Sequence, residues 1–178
     1  MTRVYCSKKL KDFVGHVEET LPDDFNDIKL SDWNAHLFFV DKRKCIVFVN
    51  LLTSYAVFIA DIVKNDLKNI DDIFIIRLKE QLLHDKVVDD FQSARFLTDG
   101  EKIHFFKTNN NKRVIGRIND YVYSFKLHCI VKYGHLKEMN VVHENGLIND
   151  ILINQFTGIK KTWISPIKNV IDKLNSTT

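Results

Sequence analysis

Two polar constellations interrupt a chain that is otherwise rich in apolar residues. The first holds Asn34 and His36 in the run Trp33-Asn34-Ala35-His36-Leu37, followed by Asp41-Lys42-Arg43-Lys44, and then by Asn50 and Thr53. Amides, an imidazole and a hydroxyl set among strong β-formers need hydrogen-bond partners or a ligand. The pattern predicts that Asn34, His36, Asn50 and Thr53 gather at one end of a sheet. The second constellation runs from Lys107 through Thr108, Asn109, Asn110, Asn111, Lys112 and Arg113 to Arg117, Asn119 and Asp120. A polar loop that opens into a helix presents free N–H groups, and four nearby cations make it a candidate anion site. Hydrolytic chemistry on these residues would take His36 or Asp120 as general base and Asn34, Asn50 and Asn119 to orient the substrate. Arg43 or Arg113 would then stabilise developing negative charge. No nucleophile–base pair is visible, so no residue is assigned a catalytic role. The same residues also admit a plain reading, with Asn50 and Thr53 in a turn, His36 in the core and the Asn run an exposed loop.

Other chemistries lack their signatures. The six glycines form neither G-x-x-x-x-G-K-[ST] nor G-x-G-x-x-G, and there is no G-x-S-x-G elbow. The seven histidines never fall in H-x-x-x-H or H-E-x-x-H, and His128 and Cys129 would point to different helix faces. Adjacent acids at Asp71-Asp72 and Asp89-Asp90, read as helical, diverge by about 100° and suit capping or solvation. The three cysteines, Cys6, Cys45 and Cys129, are far apart and sit in apolar runs, where a thiol acts as a small hydrophobe. No metal and no cofactor is expected.

At 45% hydrophobic and 28% charged residues, with two prolines, the composition excludes disordered and collagen-like chains and predicts one globular domain over residues 1–178. The longest apolar stretch, Ala56 to Ala60, is too short to span a bilayer. The first residues lack the apolar core of a secretory signal, so a cytoplasmic location is expected. The net charge of +3 reads mostly as the drift of an AT-rich genome. Its distribution is uneven: residues 18–32 hold six acids and one lysine, whereas residues 101–137 hold eight cations and two acids. Such asymmetry points to an anionic partner.

These residues need elements to position them. Arg3 to Cys6 reads as a strand, and Ser7 caps a helix carrying Leu10, Phe13 and Val14. Trp33–Val40 and Cys45–Asn50 read as a hairpin with a Lys42-Arg43 loop. Both of its faces are apolar, which places it centrally in a sheet covered on two sides. Tyr55–Ala60 and Lys102–Lys107 add strands. Asn69 begins a helix on the period of Ile70, Phe74, Leu78 and Leu82, with Asp71 and Asp72 in its first turn. A long helix follows Gly116 on the stripe Ile118, Val122, Phe125 and Cys129, and further helices are expected near 145–154 and 165–175. The expected fold is α+β, a mainly antiparallel sheet of about four or five strands flanked by helices.

Five short motifs keep their order over the first 133 residues: Cys6-Ser7-Lys8-Lys9-Leu10, Trp33-x-Ala35-x-Leu37, Asp41-x-Arg43-Lys44-Cys45, Phe48-x-Asn50-x-x-Thr53 and Gly116-x-x-Asn119-Asp120. In them the chain resembles a family of bacterial proteins defined only as a domain of unknown function, some of whose members stand beside a plasmid ORF-3-like domain. The resemblance implies no established activity and hints at a mobile-element setting. In that pattern an Asn often stands where this chain has His36, and a small residue where it has Arg117, which weighs against essential roles for those two.

Two functions are carried forward. The first is a non-enzymatic module that binds nucleic acid, or a protein that processes it, through residues 102–132 and the Lys42-Arg43-Lys44 turn. Four to six phosphate contacts on duplex DNA would lower log K by about 3.6 to 5.4 per tenfold rise in salt. Tyr121 or Tyr123 could stack on single-stranded bases. The second is a metal-independent hydrolase or nuclease using Asn34, His36, Asn119 and Asp120. What separates them from a looser arrangement is whether the hairpin end and the 107–120 segment line one cleft.

Overall fold

A computed structural model describes residues 2–24, 27–89, 102–157 and 160–176. Five strands form one sheet: β1 (Thr2–Cys6), β2 (Asp32–Val40), β3 (Arg43–Asn50), β4 (Ala56–Ile59) and β5 (Ile103–Lys107), in the spatial order β4-β3-β2-β1-β5. The hairpin β2–β3 and its neighbour β4 are antiparallel, but β1 runs parallel to both β2 and β5. The sheet is therefore mixed, not mainly antiparallel. Parallel neighbours need a long crossover, and α1 (Lys8–Val14) with the acidic stretch after it supplies one between β1 and β2. Every residue of β1 is buried, as a strand covered on both faces should be.

Helices lie on both sides. Trp33, Ala35, Leu37, Ile46, Phe48 and Val57 pack with α1, with α2 (Ile70–His84) and with α5 (Pro166–Asn175). Phe38, Val40, Cys45, Val47, Val49 and Phe58 pack on α3 (Lys112–His128) and α4 (Val141–Asp150). Phe125 of α3 stacks on Phe58 at 4.4 Å between centroids and meets Phe38 edge-on at 5.7 Å. A second, two-stranded sheet joins β6 (Ile153–Thr157) to β7 (Lys160–Ile164).

Local chemistry explains most boundaries. Ser7 Oγ accepts from Leu10 N at the start of α1, Asn111 Oδ1 from Val114 N at the start of α3, and Ser165 Oγ from Lys168 N at the start of α5. The hairpin loop is Asp41-Lys42, both at positive φ (48° and 64°), the geometry of a tight two-residue turn. This corrects the Lys42-Arg43 loop. Trp33, not Ala35, stands opposite Asn50, and because the slip is two residues every side chain keeps its expected face.

Three further expectations change. The long helix begins at Lys112, so Gly116 lies inside it, and a π-helical turn at Cys129–Tyr133 extends it. The helix expected over 145–154 begins at Val141 and stops at Asp150, after which the chain enters β6. Asp89 lies beyond the end of α2, not on a helix, and Asp90 is outside the described residues. The three cysteines are buried and free, and burial pushes the thiols of Cys6 and Cys45 up to about 12 and about 11. Among the described residues no helix is long and apolar enough to cross a membrane.

The open edge of β4 is closed by side chains. Asn149 Oδ1 accepts from Ala56 N–H and its amide donates to the Ala56 carbonyl oxygen, while Asn145 Oδ1 accepts from Phe58 N–H. Two amides on α4 thus take the place of a sixth strand.

Candidate functional site

The parallel pairing of β1 sets Tyr5 level with Asn34 on β2 and Phe106 on β5. Residues level with each other share a face, and this face looks towards α3. Where β1 and β5 end, the chain turns away into α1 and into the Thr108–Asn111 loop, which opens a cleft of about 290 Å³. Tyr5 and Asn34 line it, with His36 beside them on β2. Ser7 and Lys8 form the α1 side, and Thr108, Asn110 and Asn119 the α3 side. The hairpin end and the 107–120 segment therefore do share one cleft.

Its floor holds two buried polar groups. Tyr5 and Asn34 are buried, and neither the Tyr5 hydroxyl nor Asn34 Oδ1 has a hydrogen-bond partner among the described residues. Burial raises the Tyr5 hydroxyl above its ordinary pKa, with Arg3 opposing, so the group stays protonated and able to donate. Lys8 is the one charged residue among the described residues of the lining, and no carboxylate is present there.

His36 is held below the ordinary histidine pKa, by burial first and then by Lys9 and Lys126. Its ring is neutral at pH 7. The unfolded chain binds a proton at higher pH than the folded one, so stability should fall as pH drops below about 6.5 and level off beneath the folded pKa. Chemical denaturation of the wild type and of His36→Gln at pH 7.5 and 5.5, about one unit either side of the unfolded value, checks this. The wild type should lose stability relative to the variant at the lower pH. An equal response in both would remove His36 as the source.

The other sequence candidates lie elsewhere or are already engaged. Asn50 and Thr53 face away from Asn34. Asn50 Oδ1 accepts from the N–H groups of Leu52 and Thr53 and from Thr53 Oγ1, and its amide donates to the Leu30 and Asp32 carbonyl oxygens. That is a structural turn. Arg43 and Lys44 sit at the far end of the hairpin. Arg43 pairs with Asp61, and Lys44 Nζ lies 5.5 Å from the Phe13 ring centre and 6.0 Å from that of Phe39. Arg113 donates to the Asn154 carbonyl oxygen at 3.1 Å. Asn109 Oδ1 accepts from Asn111 N–H and so shapes the loop. Lys107, Lys112 and Asp120 are exposed, and none of them lines the cleft.

Tyr5, Ser7 and Lys8 join Asn34, His36, Thr108, Asn110 and Asn119 in the cleft without having been singled out as candidates. In the sequence Tyr5 is one residue of the Arg3 to Cys6 strand, flanked by Val4 and Cys6, and nothing there marks it as part of a site. Only its level pairing with Asn34 reveals it, and a parallel register leaves no local sequence signal.

The chain matches, over residues 3–169, the family described as Domain of unknown function (DUF6933). No curated protein and no solved structure matches it. With nearly its whole length matched, the chain belongs to this domain-of-unknown-function family.

Proposed function

We propose that the protein is a non-enzymatic binding module for nucleic acid, with the cleft between β1, β2 and α3 as its contact. The observation that supports this best is the pair of unpartnered polar groups, Tyr5 Oη and Asn34 Oδ1, buried in a cleft that carries Lys8 and no carboxylate among its described lining. A buried polar group without a partner costs about 1–3 kcal/mol, and a ligand that supplies the partner recovers it. Lys9 and Lys126 act on His36 in the same direction, so the local field favours an anion. The contact moves from the Lys42-Arg43-Lys44 turn, whose Arg43 is paired with Asp61, to these cations. A cytoplasmic, bacterial setting belongs to the same reading, and three free buried thiols suit a reducing compartment.

Fluorescence anisotropy with a labelled oligonucleotide at low and moderate salt tests it. Contacts to Lys8, Lys9 and Lys126 should lower log K by about 2 per tenfold rise in salt on a single strand. Asn34→Ala should weaken binding about tenfold, as loss of one buried polar contact does. Absence of binding at low salt, or binding indifferent to salt, sinks the proposal.

One observation favours the hydrolase reading as a second: the neutral His36 ring, able to accept a proton, shares the cleft with Asn34 and Asn119. Asp120 is outside the lining, which leaves His36 as its base. If labelled RNA and DNA survive prolonged incubation, or if His36→Ala cleaves as fast as the wild type, this reading goes.

A further inference from the structure

α3 carries two tyrosines close to the cleft, and the fold treats them differently. Tyr121 is buried, and its hydroxyl donates to the Ser54 carbonyl oxygen at 3.1 Å, so its ring has no free face to offer. Tyr123 is 69% exposed. It stands four residues after Asn119, which lines the cleft, and three before Lys126. Residues at these spacings are neighbours on a helix surface, so Asn119, Tyr123 and Lys126 form one stripe leading out of the cleft. Lys126 Nζ lies 6.0 Å from the Phe38 ring centre and acts on His36, which puts its charge on the sheet side of that stripe.

We infer that the cleft takes one unstacked nucleotide of a single strand, with the adjoining base stacked on Tyr123. This rests on the nucleic-acid reading and narrows it. A base in a duplex has its pairing edge occupied and offers only its groove edges, which proteins read with polar side chains projected from an exposed helix or ribbon. Beyond Asp120 the open face of α3 is not suited to this, because it presents Tyr123 and Leu127 and continues into Ile130 and Val131 of the π-helical turn. A free base edge, in contrast, meets the Tyr5 hydroxyl and the Asn34 amide at the cleft floor. Stacking on an open tyrosine is the usual second element of single-strand binding and tolerates any base. Lys8 and Lys126 stand where a strand passing from the cleft to Tyr123 would carry its phosphates.

The test titrates the full chain with a labelled thymidine hexanucleotide, a labelled hairpin duplex whose G·C-rich stem stays paired, and thymidine monophosphate. The hexanucleotide should bind at least about tenfold more tightly than the duplex, and Tyr123→Ala should weaken it about tenfold more than it weakens the mononucleotide. Tyr123→Phe should retain the affinity, since the ring and not the hydroxyl makes the stack. Duplex binding as tight as single-strand binding, a silent Tyr123→Ala, or binding of the mononucleotide alone overturns the inference. Of these, tight duplex binding and a silent Tyr123→Ala leave nucleic-acid binding standing. Failure of both hexanucleotide and duplex removes the proposed function itself, and this inference with it.

Discussion

Arg3→Leu is expected to lower the free energy of unfolding by about 3–5 kcal/mol, the usual cost of leaving one buried charge without its partner. Arg3 and Asp32 are 3% and 1% exposed, and they sit level with each other where β1 and β2 begin to pair. The guanidinium grips the carboxylate with two bonds, Nε to Oδ1 at 2.6 Å and Nη2 to Oδ2 at 2.5 Å. It also donates to Asp24 Oδ1 at 2.7 Å and to the Asp27 carbonyl oxygen at 3.2 Å, which ties the acidic connection to the sheet. Asp32 Oδ2 in turn accepts from Lys29 N–H. The hydrogen bond to Asp32 raises the already high Arg3 pKa further, against the effect of burial, so the guanidinium is charged at every accessible pH. Urea denaturation of Arg3→Leu, Asp32→Leu and the double variant measures the pair. Each single change should be severe and the double change much milder than their sum, because paired apolar residues leave no orphaned charge. Losses below about 1 kcal/mol in both singles would mean that water reaches the pair.

The second large effect is expected at Asn149. Its alanine variant should lose about 2–4 kcal/mol, because the Ala56 N–H is left buried without an acceptor and a cavity opens behind it. Ala56 is fully buried, and the bond to Asn149 Oδ1 is 2.8 Å long. The Asn149 amide also donates to Asp85 Oδ2 at 3.1 Å, a carboxylate held as well by the Tyr55 hydroxyl and the Gln81 amide. Asn145→Ala should cost less, since Asn145 makes no bond to Asp85 and the Ala56 carbonyl keeps its partner in Asn149. Hydrogen exchange gives the local readout. The Ala56 amide should exchange faster in Asn149→Ala and the Phe58 amide in Asn145→Ala, each without the other. Uniform acceleration across β3 and β4 would point to global destabilisation instead.

What could be read in advance followed the range of each interaction. The β2–β3 hairpin announces itself through alternation of β-branched and aromatic residues, and its faces survive a two-residue error in register. The direction of β1 is not encoded locally: Thr2–Cys6 is too short, and too uniformly buried, to show a period. Ile151-Leu152-Ile153 follows directly on α4, and a short apolar run of this kind does not distinguish a helix tail from the strand it partly enters. At the site, Asn34, His36 and Asn119 stood out as polar groups beside apolar neighbours. Asn50 and Thr53 stood out equally, yet Asn50 satisfies itself on a turn, a local chemistry that mimics a binding residue. Arg43 and Arg113 were drawn off by Asp61 and by the Asn154 carbonyl, partners distant in sequence.

The capping of β4 by two asparagines has a counterpart at the opposite margin of the sheet. There Glu18 donates its N–H to the Phe105 carbonyl oxygen and accepts from Lys107 N–H, a one-residue bridge along β5. A sheet guarded on both flanks offers no bare peptide groups at these positions for a foreign strand to pair with. At these two edges any recognition must work through side chains and not by lending the backbone as a template. The same guard removes a common route by which small sheet proteins coalesce. Asn149→Ala should therefore be the variant most prone to self-association at concentrations where the wild type stays dispersed.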